Sequence, residues 1–139
     1  MIAFDADVLT EILAGNVAFV SRAAGIPLQD QCVPIIVIEE IVRGRLNSIR
    51  QAESGKSNLS ISRAYELFAQ TLDAFREVRA LAYTSAADEL YEQWRSQKIR
   101  GGTHDLRIAA ICVAHSATLV TRNRRDFDGL PGLSLDIWD

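Results

Sequence analysis

Apolar residues along the chain change period several times, and each change predicts a change of element. Met1 to Phe4 is a short apolar run, followed by a helical pattern from Val8 to Ala14 that stops at Gly15-Asn16. Val17 to Ala24 predicts a second short helix, ended by Gly25-Ile26-Pro27. The β-branched run Val33-Pro34-Ile35-Ile36-Val37 then predicts a buried strand, with Pro34 near its start. From Ile38 the spacing turns helical, with Ile41, Val42, Leu46, Ile49 and Ala52 on one stripe and a connecting loop at residues 54 to 58. A further amphipathic helix covers Ile61 to Phe75, and Val78 to Ala82 predicts a third strand. Ser85 with Asp88 three residues on predicts an N-cap for a helix carrying Ala87, Leu90, Tyr91 and Trp94. Gly101-Gly102-Thr103 predicts a turn and a cap, after which Leu106 to His115 is apolar on nearly every side and predicts a buried helix. Leu119-Val120-Thr121 and Leu133 to Ile137 complete the set as fourth and fifth strands.

Strands that alternate with helices predict an α/β three-layer sandwich with a mainly parallel sheet of about five strands, because parallel neighbours need crossovers and helices supply them. The length of 139 residues suits one domain over the whole chain, and no repeat, linker or low-complexity tract divides it. The longest stretch free of charge, Ile108 to Thr121, contains His115, Ser116 and two threonines, so no bilayer-spanning segment is expected. Asp5, Asp7 and Glu11 interrupt any secretory signal near the start, and Cys32 and Cys112 read as core residues in a reducing compartment. These features predict a cytoplasmic protein.

Net charge is −3 and the sequence pI about 5.4, which argues against a broad basic footprint for duplex. The positive charge is nonetheless distinctive: Lys56 and Lys98 are the only lysines among 15 basic residues, and arginine supplies the rest. Arginine's planar fork suits phosphate and carboxylate.

In open parallel sheets ligands bind beyond the carboxyl ends of the strands. Asp5 ends the first strand, Glu40 begins the helix after the second, and Asp105 lies in the first turn of the buried helix, so all three fall at one sheet edge. Each alone could serve a helix N-terminus. Together they require protons or a cation, since two unit charges ~4 Å apart repel by about 4 kcal/mol at an effective dielectric near 20. An oxygen-only donor set suits Mg2+ or Mn2+ better than zinc. His104 and His115 read as a loop residue and a helix-end residue.

The motifs resemble those of PIN-domain ribonucleases. Ile2-Ala3-Phe4-Asp5-Ala6-Asp7-Val8-Leu9 is similar to that family's opening, and Glu40-Ile41-Val42-Arg43-Gly44 to its second acidic motif. Thr103-His104-Asp105-Leu106-Arg107-Ile108-Ala109-Ala110 resembles the third, and Leu119 through Phe127 the fourth. The tail from Leu130-Pro131-Gly132-Leu133 to Trp138 resembles the VapC-type toxins of toxin–antitoxin pairs in particular. Two departures stand out: Ala6 and Asp7 replace polar neutral residues, and Asn123 stands where relatives carry an acid.

The resemblance implies a Mg2+-dependent endoribonuclease with Asp5, Glu40 and Asp105 as catalytic metal ligands. Asp126 and Asn123 compete to complete the site. Arg43, Arg107, Arg122, Arg124 and Arg125 are candidates for phosphates of single-stranded or looped RNA, or for an antitoxin's acidic tail. The implied partners are RNA, a cognate antitoxin and a second copy of the chain. The helices at 61–75 and 86–94 are expected to give aromatic surface to a homodimer or an antitoxin groove. Two alternatives remain: a PIN scaffold that has lost its metal and only binds, and a haloacid dehalogenase-like phosphatase using Asp5 as nucleophile. The latter needs Lys56 or Lys98 after a strand, and Leu9 is atypical for it.

Overall fold

The computed structural model describes residues 1–139. Strands β1 (Ile2–Phe4), β2 (Gln31–Pro34), β3 (Ala80–Leu81), β4 (Thr118–Thr121) and β5 (Ser134–Ile137) form one sheet in the order β3-β2-β1-β4-β5. Every pairing is parallel, with Phe4 opposite Val120 and Pro34 opposite Leu81. The helices are α1 (Ala6–Leu13), α2 (Val17–Ala24), α3 (Ile35–Glu53), α4 (Ile61–Ala74), α5 (Ser85–Ser96), α6 (Thr103–Ala114) and α7 (Arg124–Phe127), with a short 3-10 turn at Leu28–Asp30. The chain moves outward from β1 through β2 to β3 and then returns past β1 to β4 and β5, and by the right-handed rule for parallel crossovers the two sets of connections fall on opposite faces, which makes three layers.

The expected strand at Val33–Val37 is displaced. Pro34 is the last residue of β2 and the N-cap of α3, and Ile35, Ile36 and Val37 form the first helical turn. Proline has no N–H for a continuing ladder but fits the entry to a helix, and burying Val37 completely outweighs the small helix penalty of β-branched residues. The cap before α5 also shifts by one: the Thr84 hydroxyl accepts from Ala87 N, while the Asp88 carboxylate accepts from the Tyr83 hydroxyl. Gly102, not Thr103, caps α6, and the Thr103 hydroxyl accepts from Arg95. The third strand shrinks to two residues, and α7 and the 3-10 turn are additions that their short apolar patterns did not reveal.

The core forms around α6, whose residues Leu106 and Ile108 to Cys112 are fully buried together with Ala3, Leu119 and Val120 of the sheet. Both cysteines are buried and free. Trp138, just after β5, stacks edge-on against Phe4 with centroids 5.8 Å apart and donates its backbone N–H to Thr121 O. Trp94 and Tyr91 of α5 belong to this core, so the aromatic surface expected there is absent. Tyr65 of α4, by contrast, is 51% exposed, near Ile61 and Leu72 in the same state. No helix is long and apolar enough to cross a membrane.

Candidate active site at the sheet switch point

The chain leaves β1 toward β2 and returns to β1's other side as β4, so the carboxyl ends of β1 and β4 open the crevice typical of doubly wound sheets. Asp5 follows β1 directly and caps α1. Its backbone N–H extends the ladder to Val120 O, its Oδ1 accepts from Ala6 N at 2.8 Å, and its Oδ2 accepts from the Thr121 hydroxyl at 2.7 Å. Thr121 is fully buried at the end of β4 and its Oγ1 accepts in turn from Asn123 N. Asp7, in the first turn of α1, receives the Arg122 backbone N–H.

Burial pushes the Asp5 carboxyl up to about 7, with the negative charges of Asp7 and Asp105 adding to the rise and the Thr121 hydrogen bond opposing it. Asp105, in the first turn of α6, rises to about 6 because of burial and because Asp126 and Glu40 face it. Glu40 is also raised by burial, against which the neighbouring His104 works. The structure therefore brings Asp5, Glu40, Asp105 and Asp126 into one electrostatic group, with Asp7 at its edge. Their side chains do not close into a three-ligand cage as they stand. As donors they still fit a hard divalent cation, since all are carboxylates crowded at one sheet edge and burial with mutual repulsion raises Asp5 and Asp105 despite His104 nearby.

Asn123 and Asp126 occupy one short motif. Asn123 caps α7, its Oδ1 accepting from Asp126 N and its amide donating to the Asp126 carboxylate, while Asp126 faces Asp105. Asp126 is thus the member of this pair whose charge acts on Asp105, and Asn123 hydrogen-bonds to it. His104 was expected in a loop but is the second residue of α6, where Nδ1 lies 3.2 Å from Glu40 Oε1 and Nε2 3.6 Å from Glu39. Neither Thr121 nor His104 is among the site residues expected from the sequence. The one sequence signal at Thr121 is its place at the end of a predicted strand, and its position opposite Asp5 comes from the fold.

The arginines divide. Arg124 and Arg125 are exposed on α7 and make no ion pair, whereas Arg43 pairs with Glu39 and Arg122 with Glu11 at 3.0 Å. Arg122 also lies over the Phe19 ring. Arg107 packs over Tyr91 and Tyr83, and its Nε is buried without a partner. Lys56 and Lys98 lie in the turns after α3 and α5 rather than after strands, which leaves the phosphatase arrangement without its lysine.

No family model matches the chain. A segment of 38 residues is 47% identical to the ribonuclease VapC2 of Rickettsia felis, covering 27% of this chain and 28% of that protein. Over its full length the chain superposes on a chain of the DNA-bound VapBC2 complex of the same organism with a TM-score of 0.75 at 20% identity, covering 100% of both. A chain of FitAcB from Neisseria gonorrhoeae gives 0.77 at 20% identity, covering 97% of this chain and 96% of that one. A DNA-bound VapBC from Salmonella typhimurium gives 0.75 at 18% identity, covering 100% of both chains. The parallel sheet in this strand order, the seven helices and these superpositions together establish that the chain has the PIN-domain fold of the VapC toxins.

Proposed function

We propose that the chain is a Mg2+-dependent endoribonuclease, with Mn2+ as a substitute, and that it acts in the cytoplasm as the toxin of a toxin–antitoxin pair. The observation that carries this reading is the charge-coupled set Asp5, Glu40, Asp105 and Asp126 at the switch point, two of them held near neutral pH by burial and mutual repulsion. The 38-residue likeness to a ribonuclease and the full-length likeness to toxin–antitoxin structures support the substrate class and the partner. When bound, the cation supplies Lewis acidity toward the phosphoryl oxygens and the attacking water.

The chain's own residues prepare the site. Thr121 and Ala6 N fix the Asp5 carboxylate, His104 orients Glu40, and Asn123 holds Asp126 toward Asp105. Such preorganisation spares reorientation when charge develops on the phosphate. Arg124 and Arg125, free of carboxylate partners, are the best placed of the candidate arginines to hold flanking phosphates. Half-exposed Tyr65, Ile61 and Leu72 on α4 suit burial against a second copy or an antitoxin.

Asp105→Asn tests the mechanism, because asparagine keeps the shape and near-helix-start preference but removes the charge. Mg2+-dependent cleavage of total RNA should drop by orders of magnitude while the protein melts at or above the wild-type temperature. Normal cleavage by the variant, or equal cleavage by the wild type in excess EDTA, overturns the metal-nuclease reading. Copurification of a small protein encoded beside the chain tests the partner.

A further inference from the structure

Two clefts lie along α3 on either side of Gly44, and both reach Glu40. One, of about 580 Å3, is bordered by Arg43, Asn47, Arg50 and His104. The other, of about 380 Å3, is bordered by Thr10, Arg45 and Ser48. Glu40 is the only carboxylate lining either cleft, against three arginines, in a chain whose net charge is −3. Arg50 makes no ion pair, and Arg45 is steadied by donating from Nε to the Thr71 hydroxyl at 2.9 Å.

Gly44 sits in the interior of a 19-residue helix, where glycine is the poorest choice after proline. Neither packing nor backbone conformation demands it, since a Cβ built there meets nothing within 4 Å and the residue has no positive φ. What the missing side chain does is leave the helix bare between the two clefts, one turn beyond Glu40. A bare backbone flanked by arginines and amide or hydroxyl groups is a surface for close approach by a phosphodiester chain.

We propose that single-stranded RNA crosses α3 at Gly44, one sugar–phosphate unit lying on the bare helix, with Arg50 and Asn47 on one flank and Arg45 and Ser48 on the other. The proposal rests on the nuclease reading and gives it a strand path. The occupant is a single strand, because one sugar–phosphate unit matches one bare residue and the backbone of a single strand is free to follow it.

The experiment uses the full chain, a fluorescein-labelled 12-nucleotide single-stranded RNA, and Ca2+ in place of Mg2+ to hold the chemistry back. Gly44→Ala should melt about 3 °C higher or more, because alanine is the better helix residue, and yet bind the RNA more weakly. Gly44→Leu should weaken binding about tenfold or more, and Arg50→Ala should lower the slope of log affinity against log salt by roughly one contact. Calorimetric Mg2+ binding should be unchanged in all three. If Gly44→Leu binds RNA as tightly as the wild type, the crossing is wrong; should that variant fail to fold, undiminished binding by Gly44→Ala overturns it equally. Wild-type cleavage with Mg2+ is scored separately, so an active wild type beside an indifferent Gly44 variant removes the strand path and leaves the nuclease. A wild type that neither binds nor cleaves RNA removes both.

Discussion

Asp5 has a protein donor on each carboxylate oxygen, and its pKa still climbs to about 7, because burial and neighbouring acids outweigh two hydrogen bonds. The consequence for stability has a definite sign. A carboxyl whose folded pKa lies above its unfolded value near 3.8 binds its proton more tightly in the fold, so the folded state is favoured at low pH and penalised once the group ionises. In EDTA, melting temperature should therefore fall as pH rises from about 4 to about 7, the span set by Asp5, with Asp105 contributing up to about 6. Asp105→Asn should flatten the lower part of that span, and Mg2+ added at pH 8 should raise the melting temperature of the wild type more than of the variant. A melt that rises with pH across this range contradicts the assignment. Thr121→Val keeps shape but removes the one hydroxyl donor to Asp5, and should cost about 1 to 3 kcal/mol at pH 8 and less at pH 5, where the neutral carboxyl needs it less. Chemical denaturation at the two pH values separates this from a packing defect, which would cost the same at both.

At the scale of elements, the cap of α5 distinguishes two adjacent hydroxyls. Thr84→Ala should destabilise by about 1 kcal/mol because Thr84 satisfies Ala87 N, whereas Ser85→Ala, inside the first turn, should be near neutral in urea titrations. Gly101→Ala should be more severe: Gly101 has φ +152°, and an added Cβ would stand 2.9 Å from a methyl of fully buried Leu106. Periodicity exposed nearly all of the helices because each buries one stripe, and α6 was recognisable from being apolar all round. Where it misled, two signals competed at one place. Ile35-Ile36-Val37 have strand-forming side chains but follow a proline that ends the ladder, so burial made them helix. Ser85 and Thr84 are both good cap residues and adjacent, so sequence alone does not choose between them, and in the fold the Thr84 hydroxyl takes the Ala87 N–H. The acids of the site were legible because strand ends and helix starts are places sequence can locate. Thr121 and His104 were not, since a hydroxyl or imidazole acquires meaning only from a partner brought close by the fold.

For the whole molecule, the division among the arginines predicts unequal effects on RNA binding. Neutralising Arg124 and Arg125 should weaken binding and reduce its salt dependence, whereas Arg122→Gln should chiefly lower thermal stability, since Glu11 and the Phe19 ring already hold that guanidinium. Fluorescence titrations across a salt series, with melts of each variant, check both halves. Self-association should follow α4: Tyr65→Asp should turn a dimer mass in light scattering into a monomer mass without lowering the melting temperature, because Tyr65 is half exposed in the isolated chain. The contact between Asp5 and Thr121 spans 116 positions in sequence, and this has a bearing on how the protein is made. At translation speeds of about 5 to 20 residues per second, roughly 6 to 23 seconds separate the emergence of the first residue from that of the second. By the end of that interval, once Asp105 has been made, the growing polypeptide carries Asp5, Glu40 and Asp105 but still lacks the Thr121 hydroxyl and β4, the strand that pairs with β1. Until β4 is delivered the growing chain lacks the strand whose end carries Thr121, so the hydrogen bond that holds Asp5 forms only after nearly the whole chain has been made.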